Sequence, residues 1–128
     1  KNVAPEKLES LLKINRFISQ ALVHGDRKHY LTAILTLNEE EIKRWAKQHG
    51  LNWNSFEELI HNSYVQQLID AWVQDVNNRL ASFETIKKFR ILNQDFSIET
   101  GELTPSLKIK RRECEEKFRK YFDEMYEV

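Results

Sequence analysis

Basic residues crowd a short segment near the C-terminal end of the chain: Lys108, Lys110, Arg111 and Arg112. A helix is predicted to begin here, and the positive end of a helix dipole disfavours cations at its start. Arg111 lies four residues before Glu115, the spacing of a helical ion pair, and Arg112 stands in the same relation to Glu116. Lys108 has no such neighbour, so its charge lacks an ordinary local explanation.

The segment before Lys108 is stiff. Pro105 has a fixed φ and biases Thr104 towards extended geometry. A lysine on a stiff loop beside a helix N-terminus is well suited to meet an anion that arrives from outside the domain. The sequence therefore predicts a phosphate or carboxylate contact at Lys108, and the alternative is a solvated surface lysine.

Other signals of chemistry are weak. The three glycines lie too far apart to form a phosphate-binding loop: Gly25, Gly50 and Gly101. The four histidines have no ligand-like spacing, so no metal site is expected: His24, His29, His49 and His61. Cys114 is the single cysteine and allows no intrachain disulfide, which is typical of a reducing, cytoplasmic setting.

Length and composition indicate one globular domain. The chain has 128 residues, of which 41% are hydrophobic, with 20 basic and 20 acidic side chains and a net charge of zero. The neutral balance weakens a nucleic-acid-binding role. No apolar run approaches the roughly 20 residues of a membrane span. Because the sequence begins at Lys1 and its only methionine is Met125, we expect an excerpt from a longer protein.

The chain must fold so as to present Lys108, and its periodicity predicts how. The clearest helix covers 63–80, where apolar residues recur at helical spacing: Val65, Leu68, Ile69, Trp72, Val73, Val76 and Leu80. Further helices are predicted to begin at Pro5, after Asn38, after Ser55 and near Arg111.

Strands are predicted at 17–23 and 29–37, paired antiparallel, and at 88–92, with a small hairpin around Thr100-Gly101. The order α-β-β-α-α-α-β-α indicates an α+β fold. We expect a small antiparallel sheet of about three strands, plus the minor hairpin, packed with helices.

Several segments together resemble one family, the long-chain acyl-CoA synthetases. The opening Lys1-Asn2-Val3-Ala4-Pro5-Glu6-Lys7-Leu8-Glu9 is similar to the stretch just after their interdomain hinge, and 23–33 to their first hairpin. The segments 83–89 and Phe96-Ser97 then lead, in the family's order, into 101–111. Many adenylate-forming relatives carry Ser-Gly-Lys where this chain has Ser106-Leu107-Lys108, and the leucine form resembles the long-chain fatty acyl branch.

The resemblance implies a two-step ligase. A fatty acid attacks the α-phosphate of Mg-ATP to give acyl-AMP, and coenzyme A then displaces AMP to form the thioester. It implies that 1–128 is a mobile C-terminal lid domain, and that Lys108 stabilises the transferring group in the first step. In the second step Asn2, Val3 and Ala4 would face the active site and shape the coenzyme A channel. Further candidates for contact with the coenzyme A phosphates or the N-terminal domain are Lys110, Arg111 and Arg112, with a solvated helix entry as the alternative for each.

The same resemblance implies binding partners and a cellular location. The hinge, the Gly-rich phosphate loop and the fatty-acid tunnel would lie upstream of Lys1, so the isolated piece should be inactive and its main partner should be its own N-terminal domain. ATP, Mg²⁺, coenzyme A and fatty acid belong to the intact enzyme, with no nucleic acid. We expect a location in the cytoplasm, with peripheral association at the inner face of the membrane as an alternative.

Two other interpretations remain open. One is the lid domain of a different adenylate-forming acid–CoA ligase, because the acid-binding pocket would lie in the other domain. The second is a small nucleic-acid or protein interaction domain that uses the 108–112 basic cluster.

Overall fold

A computed structural model describes residues 4–25 and 28–127 of the chain. Helices, strands and one 3-10 turn alternate in this order: α1 Pro5–Leu12, β1 Ile18–His24, β2 Leu31–Leu37, α2 Glu39–Gln48, α3 Phe56–Ile60, α4 Ser63–Asn77, the turn Ser82–Glu84, β3 Ile86–Leu92, α5 Arg111–Lys117 and α6 Arg119–Tyr126. This confirms the predicted α+β order. The last predicted helix is present as two helices that meet at Phe118.

Side-chain caps begin the helices where the sequence predicts them. Asn38 Oδ1 accepts the backbone N–H of Glu41 at 3.3 Å, at the start of α2. Ser55 Oγ accepts the backbone N–H of Glu58 at 3.1 Å, at the start of α3. Helix α4 ends at Asn77, short of the predicted residue 80, and the chain continues in turns where Arg79 and Leu80 donate their N–H groups to the carbonyls of Val76 and Asn77.

The three strands form one sheet in the order β1-β2-β3. β1 and β2 are antiparallel, with Leu22 opposite Ile34, as predicted. β2 and β3 are parallel, with Ile34 opposite Arg90, so the prediction of a wholly antiparallel sheet is wrong at β3. Helices α2 to α4 separate the two strands and carry the chain back along the sheet, which is the kind of connection that parallel pairing needs.

The predicted hairpin around Thr100-Gly101 does not form. The backbone N–H groups of Glu102 and Leu103 both donate to the carbonyl of Ser97, at 3.1 and 3.2 Å, and close the segment as a compact loop. The only bridge nearby within the described residues joins Leu103 to Ile109, further along the chain. Lys108 therefore lies in the loop that this bridge closes between Leu103 and Ile109.

The sheet divides the interior into two cores. Ala33 and Leu35 of the fully buried strand β2 face the larger core, which contains α1, α2 and the apolar stripe of α4. Ile34 faces the opposite way and packs with Leu22 against the C-terminal helices and Phe96, in a smaller core that includes Cys114, Phe118, Phe122 and Met125. The smaller core fixes α5, and α5 in turn carries the loop with Lys108.

Candidate functional site

Lys108 lies at the tip of a short closed loop. Its backbone carbonyl accepts the N–H of Thr104 at 2.8 Å, and its own N–H donates to Thr104 Oγ1 at 3.1 Å. The N–H of Leu107 also donates to the carbonyl of Thr104, at 2.8 Å. These bonds fix the backbone on both sides of Lys108, as the sequence predicted for a stiff loop.

Leu107 has a left-handed backbone conformation, with φ at 66°. It is the only non-glycine residue with positive φ among residues 4–25 and 28–127, and its side chain is 62% exposed. Left-handed geometry is unfavourable for a leucine and natural for glycine. A glycine at this position, as in the Ser-Gly-Lys of many adenylate-forming relatives, would adopt this conformation without strain.

The side chain of Lys108 has no anionic partner in the part of the chain that the structure describes. The residue is exposed, and no carboxylate in 4–25 or 28–127 forms an ion pair with it. Lys110, half-buried, donates its backbone N–H to the carbonyl of Glu102 at 2.8 Å, and its ammonium likewise has no ion pair in that part of the chain. Both ammonium groups are available to an external anion.

A buried carboxylate supports one side of the loop base. Glu102 is 3% exposed and accepts the backbone N–H of Ser97 at 3.0 Å and the hydroxyl of Thr100 at 2.5 Å. Its other oxygen accepts a hydrogen bond from the ammonium of Lys117. Burial raises the pKa of Glu102, but the hydrogen bonds from Lys117, Thr100 and Ser97 outweigh it and lower that pKa below its ordinary value.

A second buried carboxylate supports the other side. Glu9 of α1 is 4% exposed and receives two hydrogen bonds from the Arg111 guanidinium, at 2.7 and 3.0 Å. The backbone N–H of Val23 donates to the same carboxylate at 2.8 Å. The hydrogen bond with Glu9 is the largest cause of a raised pKa for Arg111.

The predicted ion pair between Arg111 and Glu115 is therefore wrong, because Glu9 offers a more buried, bidentate partner. Glu115 pairs instead with His24 Nδ1 at 2.7 Å. Arg112 and Glu116, both described and exposed, form no ion pair either. Because Glu9 neutralises the charge of Arg111, the 108–112 segment is less suited to bind a polyanion than its sequence suggested.

The predicted coenzyme A segment is only partly described. Asn2 and Val3 lie outside the described residues. Ala4 is exposed at the start of α1, where its carbonyl accepts the N–H of Lys7 at 3.1 Å. No group of three His, Cys, Asp or Glu side chains in residues 4–25 and 28–127 could hold a metal ion. No helix in that part of the chain is long and apolar enough to cross a membrane.

Sequence reasoning missed Glu9 and Glu102 as determinants of the site. Glu9 lies with Leu8 and Leu12 on the buried face of α1, and a carboxylate at helical spacing from Leu12 was the available signal. Glu102 gave no comparable signal, because Lys117 is 15 positions away and only the fold brings the two together.

The chain matches the profile of the family described as AMP-binding enzyme C-terminal domain over residues 1–128. It is 39% identical over 127 residues to long-chain-fatty-acid–CoA ligase FadD15 of Mycobacterium tuberculosis, covering 98% of this chain and 21% of that protein. It is 35% identical to long-chain-fatty-acid–CoA ligase 1 of Cavia porcellus, covering 97% of this chain and 18% of that protein. The chain thus spans about a fifth of the length of these curated relatives.

Solved structures show the same fold. The adenylation domain of a carboxylate reductase from Mycobacterium chelonae superposes with a TM-score of 0.74 at 25% identity, over 97% of this chain and 18% of that one. The didomain of a carboxylic acid reductase from Segniliparus rugosus, in complex with AMP, gives 0.75 at 21% identity, over 97% of this chain and 16% of that one, a likeness of fold alone. The overall fold of this chain is thus found within these two solved chains, and the chain belongs to the family of AMP-binding enzyme C-terminal domains.

Proposed function

We propose that this chain is the lid domain of a long-chain fatty acid–CoA ligase, and that Lys108 is its catalytic residue in acyl-AMP formation. The observation that carries the proposal is the exposed Lys108 ammonium, held on a hydrogen-bonded loop with no anionic partner among the described residues of its own domain. The names of the curated relatives support the fatty-acid substrate class.

Acyl-AMP formation requires a cation that is exposed on the surface of this domain, where it can reach the reacting oxygens. When a fatty-acid carboxylate attacks the α-phosphate of ATP, negative charge is shared among the attacking oxygen, the phosphoryl oxygens and the departing pyrophosphate. A fixed ammonium near these oxygens stabilises the transition state more than the separated reactants, because no solvent must reorganise around it. The closed loop supplies that fixed position once the lid meets the ATP-binding domain.

The second half-reaction would use a different face of the domain. We propose that the Asn2–Ala4 segment then lines the coenzyme A channel, and that Lys110 contacts a coenzyme A phosphate. Ala4 is exposed directly before α1, which is consistent with that place. We propose that Mg²⁺ accompanies ATP on the other domain.

The test uses the full-length ligase with Lys108→Ala. The rate of acyl-AMP formation from palmitate and ATP is measured by the release of pyrophosphate. We expect this rate to fall by roughly 10²- to 10³-fold, the usual effect of removing one preorganised charge-stabilising group. Thioester formation from supplied acyl-AMP should remain within about twofold of the unmodified enzyme, since Lys108 does not act in that step.

A matched control is Lys87→Ala, which removes another exposed lysine, on β3. It should leave both half-reactions unchanged. Equal losses in both half-reactions with Lys108→Ala would contradict the catalytic role and indicate a structural one. A panel of aryl and medium-chain acids in the same assay separates a fatty acyl ligase from another acid–CoA ligase.

We further propose that the chain alone has no ligase activity, because it contains no Gly-rich phosphate loop. The purified 128-residue chain, given palmitate, ATP, Mg²⁺ and coenzyme A, should form no thioester. Measurable turnover would contradict this proposal. Sedimentation of the full-length enzyme with anionic vesicles would decide between a cytoplasmic location and peripheral membrane association.

A further inference from the structure

Glu9 and Arg111 form a bidentate ion pair around a buried carboxylate. Both guanidinium nitrogens reach the carboxylate, at 2.7 and 3.0 Å, and the carboxylate side chain is only 6% exposed. A bidentate arginine–carboxylate pair fixes orientation as well as distance. The two residues are 102 positions apart in sequence, so the pair joins distant parts of the domain.

Arg111 is rigidly connected to Lys108. It is the first residue of α5, three positions after Lys108, and the intervening Ile109 is bridged to Leu103. The N–H of Lys110 is bonded to the carbonyl of Glu102 at 2.8 Å. A displacement of the Arg111 backbone would therefore move the base of the loop, and the tip that holds Lys108 would move with it.

Glu9 is connected with equal rigidity to the start of the domain. It lies on α1, which begins at Pro5 immediately after Ala4. Its carboxylate also holds the backbone N–H of Val23 in β1, at 2.8 Å. The carboxylate thus joins three parts of the domain: α1, the sheet, and the helix that follows the loop.

We propose that Glu9 and Arg111 are a positioning pair that sets the place of Lys108 relative to α1 for acyl-AMP formation. Neither residue touches the reacting atoms. Their bond holds the Lys108 loop and α1 in one fixed arrangement, so that the two move as a single body. This inference rests on the proposed function of Lys108 and names two residues on which that function depends.

Glu9→Gln in the full-length ligase is the mildest test, because the amide keeps an oxygen for the Val23 N–H while it removes the charge and one of the two oxygens that accept from Arg111. We expect kcat for acyl-AMP formation to fall by about 10- to 100-fold, as a displacement of roughly 1 Å at a reacting group can cause. KM for ATP should stay within about twofold, and thioester formation from supplied acyl-AMP should change by less than about threefold.

Arg111→Met removes the other partner and leaves a buried carboxylate unpaired, so it is the more disruptive variant. Arg111→Lys keeps the charge with a single point of contact and should recover part of the lost rate. The double variant Glu9→Gln with Arg111→Met should lose no more rate than Arg111→Met alone, because residues acting through one bond are not additive.

Asn77→Ala is a control that should lose stability in the same way as the Glu9 and Arg111 variants. Asn77 also ties two elements together with a pair of hydrogen bonds, to the backbone N–H and carbonyl of Ile86 at 2.8 and 2.9 Å, but it contacts β3 and not the loop. It should lower the unfolding temperature as the pair variants do. It should not change the ratio of the two half-reaction rates.

A second readout is independent of activity. Hydrogen exchange of the Lys108 and Lys110 amides should accelerate by about tenfold or more in Glu9→Gln and remain unchanged in Asn77→Ala, because loosening the base exposes those bonds. The positioning role alone is overturned if Glu9→Gln forms acyl-AMP at a rate within twofold of normal while Lys108→Ala abolishes that reaction. A parallel loss of both half-reactions overturns it as well. An unaffected rate in Lys108→Ala overturns the proposed function itself.

Discussion

Thr104 and Lys108 are joined by two hydrogen bonds, one in each direction. The N–H of Thr104 donates to the carbonyl of Lys108 at 2.8 Å, and the N–H of Lys108 donates to Thr104 Oγ1 at 3.1 Å. Only the second depends on a side chain. The backbone of Lys108 is therefore held by a hydroxyl that can be removed without changing the shape of the residue that carries it.

Thr104→Val tests this bond, because valine keeps the branched shape and lacks the acceptor. We expect the free energy of unfolding to fall by about 1 kcal/mol, the usual value of one hydrogen bond. If the same energy is lost in the transition state, acyl-AMP formation in the full-length ligase should slow by roughly fivefold. Thr104→Ser, which keeps the hydroxyl, should behave normally. Equal rates for the valine and serine variants would show that the bond does not position Lys108.

Leu107→Gly should not weaken the domain, although it removes a large apolar side chain. The leucine is 62% exposed and has φ at 66°, so little burial is lost and a backbone strain of about 1–2 kcal/mol is relieved. Glycine's greater freedom in the unfolded chain offsets about 0.5–1 kcal/mol of that gain. We expect a net change between about zero and 1.5 kcal/mol in favour of the folded state, measured by urea denaturation.

Leu107→Val provides the contrast, since a β-branched residue is still less compatible with positive φ. It should lower the free energy of unfolding. A valine variant more stable than the glycine variant would contradict the left-handed geometry of the loop.

Glu102 should make stability depend on pH in the acid range. Its pKa in the folded protein is lowered by Lys117, Thr100 and the Ser97 N–H, which together exceed the opposing effect of burial. The unfolded state therefore takes up a proton first as pH falls. The stabilisation is fully present above the ordinary pKa of 4.5 and is lost as pH falls towards the lower folded value.

Urea denaturation between about pH 6 and about pH 3 measures this dependence. Glu102→Gln should be less stable than the unmodified chain at about pH 6, and its stability should fall less steeply in acid. Parallel curves for the two proteins would show that Glu102 does not carry the acid sensitivity.

Cys114 should be chemically inert while the domain is folded. Burial, assisted by the charge of Glu102, raises the pKa of its thiol to about 11. Its Sγ donates to the carbonyl of Glu102 at 3.5 Å, and the residue is fully buried. A thiol reagent at about pH 8 should label the unfolded chain within minutes and the native chain only as it unfolds, since the thiolate is the reactive form. Rapid labelling of the native protein would contradict this burial.

Local sequence signals predicted much of the fold. Asn38 and Ser55 accept the hydrogen bonds that their positions indicated, because a cap depends on atoms only a few residues away. The apolar stripe of α4 faces the larger core for a similar reason, since helical periodicity alone decides which residues share a face. The direction of β3 could not be read this way, because a seven-residue strand looks the same whichever way it runs.

The sequence by itself determined that Lys108 stands on a stiff loop at the start of a helix, and the ordered matches to acyl-CoA synthetases identified its family. Only the tertiary structure decided which charges support that loop. Arg111 could pair locally with Glu115, but Glu9 approaches from the other end of the chain and binds it with both oxygens. Ion pairing depends on distance and burial in space, and sequence spacing specifies these only within a single helix.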